Sequence, residues 1–301
     1  MIASQTILSI WQTNWQDALV SSRIALQDAN RKITYGALYE AVSSQAGRLR
    51  AAGIRDEMRV AIDMERSLDA VITLLAVMAA GACPCPLEPR LSQLELCDRL
   101  ETGGLTCLLS DDVSKHDSFG NVVLLNPYSL PEAPVYWSDK ITPEYPALML
   151  FTSGSTGKPK GVLESHLGVL NNALGVIALT ELTPEDVLLH VMPIYHTNGL
   201  NNQLFSPLAV GAKVYFAPRF SAQTMPDLML AAKPTILTGV PTMYSRMLSY
   251  PLSPEAIQDL RFARCGSAPI TIELHKKIEA YLGRPLLISY GLSEATCTST
   301  I

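Results

Sequence analysis

An α/β fold, in two lobes of mainly parallel sheet with helices on both faces, is predicted by three features of this 301-residue sequence. Strand-like and helix-like patterns alternate along the chain, the order that parallel pairing with helical crossovers requires. The hydrophobic class makes up 48% of residues and charged residues only 17%, which permits a large buried core and argues against disorder. Polar, glycine-bearing segments also follow several strand candidates at their carboxyl ends, the edge where open α/β sheets bind ligands.

The elements follow in order. Leu38, Val42, Ala46 and Leu49 fall at helical spacing, and Gly53 stops that helix. Residues 59–62 read as a strand and 68–80 as a nearly all-apolar, buried helix. Pro84, Pro86 and Pro89 impose an extended connection. A helix pattern at 91–100 precedes short strands at 106–109 and 122–125. Residues 126–146 hold five prolines and little periodicity, so the lobes are expected to divide there, as 1–140 and 141–301. Ser165 can cap a helix reaching about residue 178. Strands are then expected at 187–191, 213–216, 234–238, 261–265 and 286–290, with helices at 221–232, 242–248 and 270–282.

The most informative stretch is TSGSTGKPKG, residues 152–161, which follows the apolar run 147–151. It combines Thr152, Ser153, Ser155 and Thr156 with Gly154, Gly157, Lys158 and Lys160. Backbone N–H groups, hydroxyls and ammonium groups gathered in one loop suit a polyphosphate. A Walker A loop is excluded, because Gly154 and Gly157 stand too close together and Pro159 follows Lys158. Pro159 also prevents the loop from running directly into a helix. A solvated glycine/serine linker has similar composition, but seldom lies between two apolar segments such as 147–151 and Val162-Leu163.

Whole-chain properties narrow the function. The formal net charge is −5 and no basic cluster occurs, so nucleic acid is not an expected partner. The first residues carry no positive region ahead of their apolar positions, and the longest apolar run, 70–82, is too short to span a bilayer. A soluble, cytoplasmic chain is the expectation. Six cysteines form no C-x-x-C pair; buried free thiols are expected rather than a metal site.

Tyr290-Gly291-Leu292-Ser293-Glu294 ends an apolar strand with an aromatic ring, a hydroxyl and a carboxylate. Tyr290 can stack on a base, Ser293 can bond a phosphate oxygen and Glu294 can hold magnesium, which takes oxygen ligands and often only one carboxylate. A strand end with a solvated glutamate is the competing reading of these residues alone. His196 lies in a turn after Met192-Pro193, and a lone histidine of this kind is more often structural than catalytic. No G-x-S-x-G elbow and no Ser/His/Asp arrangement is visible. Gly266-Ser267-Ala268-Pro269 places small residues at a strand end, where a flat ring can approach the backbone.

Taken together, these motifs resemble the adenylate-forming (AMP-binding) superfamily of acyl-CoA synthetases, luciferase-like ligases and peptide-synthetase adenylation domains. The loop at 152–161 and the following Val162-Leu163-Glu164-Ser165-His166 resemble its signature. Ile33 to Leu38, Gly81 to Pro89, Pro193-Ile194-Tyr195-His196, Gly266 to Pro269 and Tyr290 to Glu294 resemble further family segments in the family's order, with Ser293 where threonine is usual. The chain stops seven residues after Glu294, ahead of the family's small C-terminal domain, and resembles the large domain.

The resemblance implies an enzyme, an AMP-forming acid–thiol ligase, that converts a carboxylic acid to its adenylate with ATP and Mg2+ and passes the acyl group to a thiol. Thr152, Ser153, Ser155, Thr156 and Lys158, with Gly154 and Gly157, would cradle the β and γ phosphates, and Lys160 would close on them or support the loop. Glu294 would hold magnesium, Ser293 the α-phosphate, and Tyr290, Gly291, Gly266, Ser267 and Ala268 the nucleotide. His196, Asn198, Thr238 and Gly239 would border the acid. Coenzyme A is the expected acceptor, with a carrier-protein thiol as the alternative. A truncated, non-catalytic nucleotide or acyl-adenylate binder is the other alternative, and the 301-residue chain alone is expected to be weakly active at most.

Overall fold

The computed structural model describes residues 5–116, 118–152 and 159–300. Two compact units divide it, Met1–Asp17 with Gly36–Asn171 and Ala18–Tyr35 with Asn172–Ile301. The α/β expectation holds: helices and strands alternate, and the two larger sheets are parallel except for one edge hairpin.

The first unit carries a four-stranded parallel sheet ordered Cys83–Pro86, Arg59–Asp63, Cys107–Ser110, Val123–Leu125. Pro84 and Pro86, expected in an extended connection, lie within a strand. That strand is at the sheet's edge, where a missing N–H is tolerated. Ser67 starts the helix Leu68–Ala79 by accepting from the Ala70 N–H at 3.1 Å, and all but two of that helix's residues are buried. Ser92 and Glu95 form a capping box on Gln93–Gly103, and Gly104 ends it at φ +58°. Residues 126–145 form neither helix nor strand. They run along this unit, tied by Tyr136 N–H to Ser43 O, Ser138 N–H to Ala79 O, and Trp137 against Tyr39 and Trp15.

An antiparallel hairpin of Pro146–Thr152 and Lys160–Ser165 completes the unit, and its last pair is Thr152 with Lys160. After Pro159 the chain enters a strand rather than a helix, as the proline requires. Ser165 then caps the helix His166–Thr180 through the Gly168 N–H at 3.1 Å.

The second unit is built on a seven-stranded sheet ordered Leu286–Ile288, Phe262–Cys265, Ile236–Gly239, Val187–His190, Lys213–Phe216, Ile24–Gln27, Lys32–Thr34. Six strands are parallel and Lys32–Thr34 returns antiparallel at the edge. Residues 24–27 join this unit because they pair with Lys213–Phe216. Tyr35, fully buried, donates to Ala212 O at 2.6 Å and anchors the end of that excursion. Leu189, Leu237, Ala263 and Cys265 point to one face, into a core closed by Met225, Met229, Tyr244, Met247, Ile278 and Leu282. The alternate residues point to the other face.

Among the described residues no helix is long and apolar enough to cross a membrane. Five cysteines are buried and Cys97 is exposed; none is in a disulfide.

Candidate functional site

The candidate site of the second unit lies at the carboxyl ends of its parallel strands. Ile236–Gly239 delivers Thr238 and Gly239, both buried, and the chain turns at once into the helix Pro241–Met247. Phe262–Cys265 delivers Gly266, Ser267 and Ala268. The Gly266 N–H donates to Gly239 O at 3.3 Å, so these two strand ends stay in step beyond the sheet. A Cβ on Gly266 would come within 2.6 Å of Ser289 Oγ, which can rotate aside, and 3.0 Å of Ser289 O, which cannot, so a side chain there would be crowded. Ser267 holds φ +66°, a conformation uncommon for a residue with a side chain. Such strain clusters where geometry matters more than stability.

The third contributor follows Val187–His190. Pro193, Ile194, Tyr195 and His196 lead into a π-helical stretch, Asn198–Phe205, of which every residue is buried. Such stretches are rare and recur at functional sites. Its first turn is fixed by close approach: a Cβ on Gly199 would meet Pro193 O at 1.9 Å, and Gly199 O is bonded by His190 Nε2 at 2.8 Å. His196 is exposed, with its ring 4.6 Å from that of Tyr195.

The fourth contributor is the short antiparallel pair Tyr290–Leu292 with Cys297–Thr300, joined by a turn that carries Ser293 and Glu294. Tyr290 is 66% exposed, and Glu294 is also exposed. Gly291 is required here, since a Cβ would lie 1.5 Å from Cys297 O.

A chain of amide hydrogen bonds joins these contributors. Asn198 Nδ2 donates to Ser267 Oγ at 3.4 Å, and Asn202 Nδ2 donates to Asn198 Oδ1 at 3.2 Å. Thr298 Oγ1 donates to Asn202 Oδ1 at 3.1 Å, and Asn201 Nδ2 donates to Thr296 O at 2.7 Å. Ser267, Asn198 and the strand after Glu294 are therefore one hydrogen-bonded assembly, with Thr238, Gly239 and Gly266 beside it.

The remaining expected residues belong to the first unit. Thr152 and Lys160 end the two strands of its hairpin as a cross-strand pair. Ser153, Gly154, Ser155, Thr156, Gly157 and Lys158 lie outside the described residues.

Several buried polar residues in or beside the assembly are not singled out by the sequence. Asn201, Asn202 and Gln203 are three consecutive buried amides, and their run in an otherwise apolar segment was a readable signal. Arg264 sits between Ala263 and Cys265 in the middle of a strand and is only 2% exposed. Burial lowers its pKa to about 10, against the opposing influence of Cys297 and Tyr244.

Comparison with known proteins gives a consistent picture. A family described as AMP-binding enzyme matches residues 14–301. A mitochondrial malonate–CoA ligase of Bos taurus is 29% identical over 90% of this chain and 52% of its own length. Among solved structures, ATP-bound MatB from Rhodopseudomonas palustris is 28% identical with a TM-score of 0.86, covering 97% of this chain and 61% of that one. The N-terminal subdomain of Klebsiella oxytoca NpsA, in complex with 3-hydroxyanthranilyl-AMSN, is 25% identical with a TM-score of 0.87, covering 99% and 76%. The chain spans about half the length of the curated relatives it matches.

Proposed function

The chain belongs to the AMP-binding enzyme family, and on that premise we propose that the protein carrying it activates a carboxylic acid with ATP and transfers the acyl group to coenzyme A. In the first step a carboxylate oxygen of the acid attacks the α-phosphorus. The bond to the bridging oxygen breaks, and pyrophosphate leaves with that electron pair. In the second step a thiolate sulfur attacks the acyl carbon and AMP leaves. The first step asks a protein to hold oxyanions in line and spread their charge.

The residues divide that work. Thr152, Ser153, Ser155, Thr156 and Lys158, with Lys160 at the hairpin end, hold the β and γ phosphates. Gly266, Ser267, Ala268 and Tyr290 take the adenine, and Ser293 bonds the α-phosphate. His196, Asn198, Thr238 and Gly239 border the acid. Glu294, exposed on the turn after Tyr290–Leu292, would supply one carboxylate to a magnesium ion. Substrate phosphates supply further oxygen ligands to a cation held in this way. When bound, the ion neutralises phosphate charge.

The observation that supports this reading most strongly is the bonded series Ser267–Asn198–Asn202–Thr298. It ties the segment assigned to adenine, the segment assigned to the acid and the strand beyond Glu294 into one assembly, so the two substrates would be positioned by a common framework. Acid-dependent exchange of pyrophosphate into ATP by the full-length protein tests the reading. Lys158→Ala is expected to lower exchange about 100-fold or more with an unchanged unfolding midpoint. Undiminished exchange in that variant would remove the loop from the reaction.

A further inference from the structure

The sheet face turned away from the apolar core is polar along one row. Thr238 and Arg264 are in-register neighbours on adjacent parallel strands, so their side chains leave the same face. Their counterparts on the other face, Leu237 and Ala263, enter the apolar cluster. Arg264 is 2% exposed and Thr238 3%, yet Arg264 Nε, Arg264 Nη2 and Thr238 Oγ1 have no hydrogen-bond partner among the described residues. Gln203, fully buried on the π-helical stretch, likewise leaves both amide atoms unbonded. Buried polar atoms are nearly always paired, and an unpaired guanidinium is the costliest of these groups to bury.

The nature of the orphaned atoms points to the missing partner. Nε–H and the Nη2–H beside it lie on one edge of the planar guanidinium and form a parallel fork. Such a fork matches the two oxygens of a carboxylate. Among the described residues the ionisable groups acting on Arg264 are Cys297 and Tyr244, and no carboxylate is among them. Cys297 is in turn bonded by Asn202 Nδ2 at 3.2 Å, which places Arg264 beside the amide assembly. Thr238, its neighbour, is one residue from Gly239 at the strand end. Among the described residues the Arg264 charge therefore has no carboxylate partner, on the sheet face it shares with Thr238, next to the strand end.

We propose that the acid taken by this site carries a second carboxylate, and that Arg264 selects for it by a bidentate ion pair through Nε and Nη2, with a further hydrogen bond from Thr238 Oγ1. The proposal rests on the acid-activating reading above and adds the class of acid. It makes Arg264 a specificity-determining residue: the first carboxylate reacts at the strand ends, and the second is held deeper on the same sheet face.

The test uses the full-length protein with acids of equal carbon number: succinate, glutarate and adipate against butyrate, pentanoate and hexanoate. Pyrophosphate exchange should favour at least one dicarboxylate over its partner by about 30-fold or more in kcat/KM, the effect expected of a buried ion pair. Arg264→Met should abolish that ratio, and Thr238→Val should reduce it several-fold and serves in its place if Arg264→Met does not fold. Binding is read separately as a rise in unfolding temperature with the preferred dicarboxylate, present in the wild type and absent in Arg264→Met. A monocarboxylate preference, or a ratio indifferent to both substitutions, overturns the assignment of Arg264. Absence of exchange with every acid, alongside an Arg264-dependent dicarboxylate shift in unfolding temperature, would refute acid activation while retaining the pairing. Absence of both refutes the pairing as well.

Discussion

Asp186 receives two hydrogen bonds from Nη1 of Arg261, each 2.8 Å long, one to each carboxylate oxygen. Thr235 Oγ1 adds a bond of 2.6 Å and the Thr183 N–H one of 2.8 Å. Asp186, Thr235 and Arg261 each stand just before a strand of the second unit's sheet, so this cluster locks the sheet's amino edge, opposite the candidate site. Burial pushes the Asp186 carboxyl up, but the bonds from Thr235, Arg261 and Thr183 outweigh it and hold the pKa below the usual value. Arg261→Ala should cost about 2 kcal/mol, as for loss of a hydrogen bond to a charged group, measured by chemical denaturation. Because the folded-state pKa is depressed, the contribution is present above the unfolded pKa near 4 and is lost as pH falls through the folded value. The Michaelis constant for ATP should not move, since the cluster is at the far end of the strands.

His166 gives a second pH dependence at higher pH. It is 1% exposed, its Nδ1 has no partner among the described residues, and burial lowers its pKa to about 3. The unfolded chain takes up a proton near pH 6.5 that the folded chain refuses, so stability falls as pH drops below that value. The slope from this residue approaches about 1.4 kcal/mol per pH unit. Denaturation series between pH 6.5 and 4.5 should show this slope in the wild type. His166→Gln should lose one proton's worth of it.

Gly199 is the tightest point of the turn that carries His196 and Asn198. A methyl group there meets the carbonyl of Pro193, a backbone atom that no rotamer change can move aside. Gly199→Ala should destabilise the protein by about 1–3 kcal/mol, the usual cost of overpacking. Saturation curves for the variant should show a larger loss of affinity, relative to the wild type, for the acid than for ATP. An equal effect on both would mean that the turn does not border the acid.

The thiols make a simple chemical prediction. Burial pushes the Cys83, Cys107 and Cys265 thiols up to about 12, and raises Cys85 as well; Cys297 is also buried. The thiolate is the reactive form. A maleimide or disulfide reagent should therefore label one thiol of the native protein rapidly, Cys97, and all six after unfolding. Rapid native labelling of Cys83 or Cys85 would contradict the packing of the Cys83–Pro86 strand.

The chain's local chemistry is largely legible in the residues themselves. Short apolar runs became strands and the longer run at 68–80 became the buried helix Leu68–Ala79, because both must be buried and length separates the two. Ser165 became a cap because its hydroxyl can satisfy the Gly168 N–H, and Pro159 forced an extended continuation because it lacks a donor. The glycine-bearing segments at strand ends could likewise be read as ligand-facing, since that edge is common to parallel sheets. What linear pattern could not supply is any relationship set by pairing between distant strands. Residues 24–27 joined the second unit only through pairing with Lys213–Phe216. Pro84 and Pro86 were admitted to a strand only because that strand is an edge. Arg264, surrounded by apolar neighbours in sequence, acquired its unpaired fork beside Thr238 through the register of two strands 26 positions apart. Sequence fixes what each side chain can do, through its donors, charge and conformational freedom; only the folded chain decides which of those capacities are already used and which are left open to a ligand.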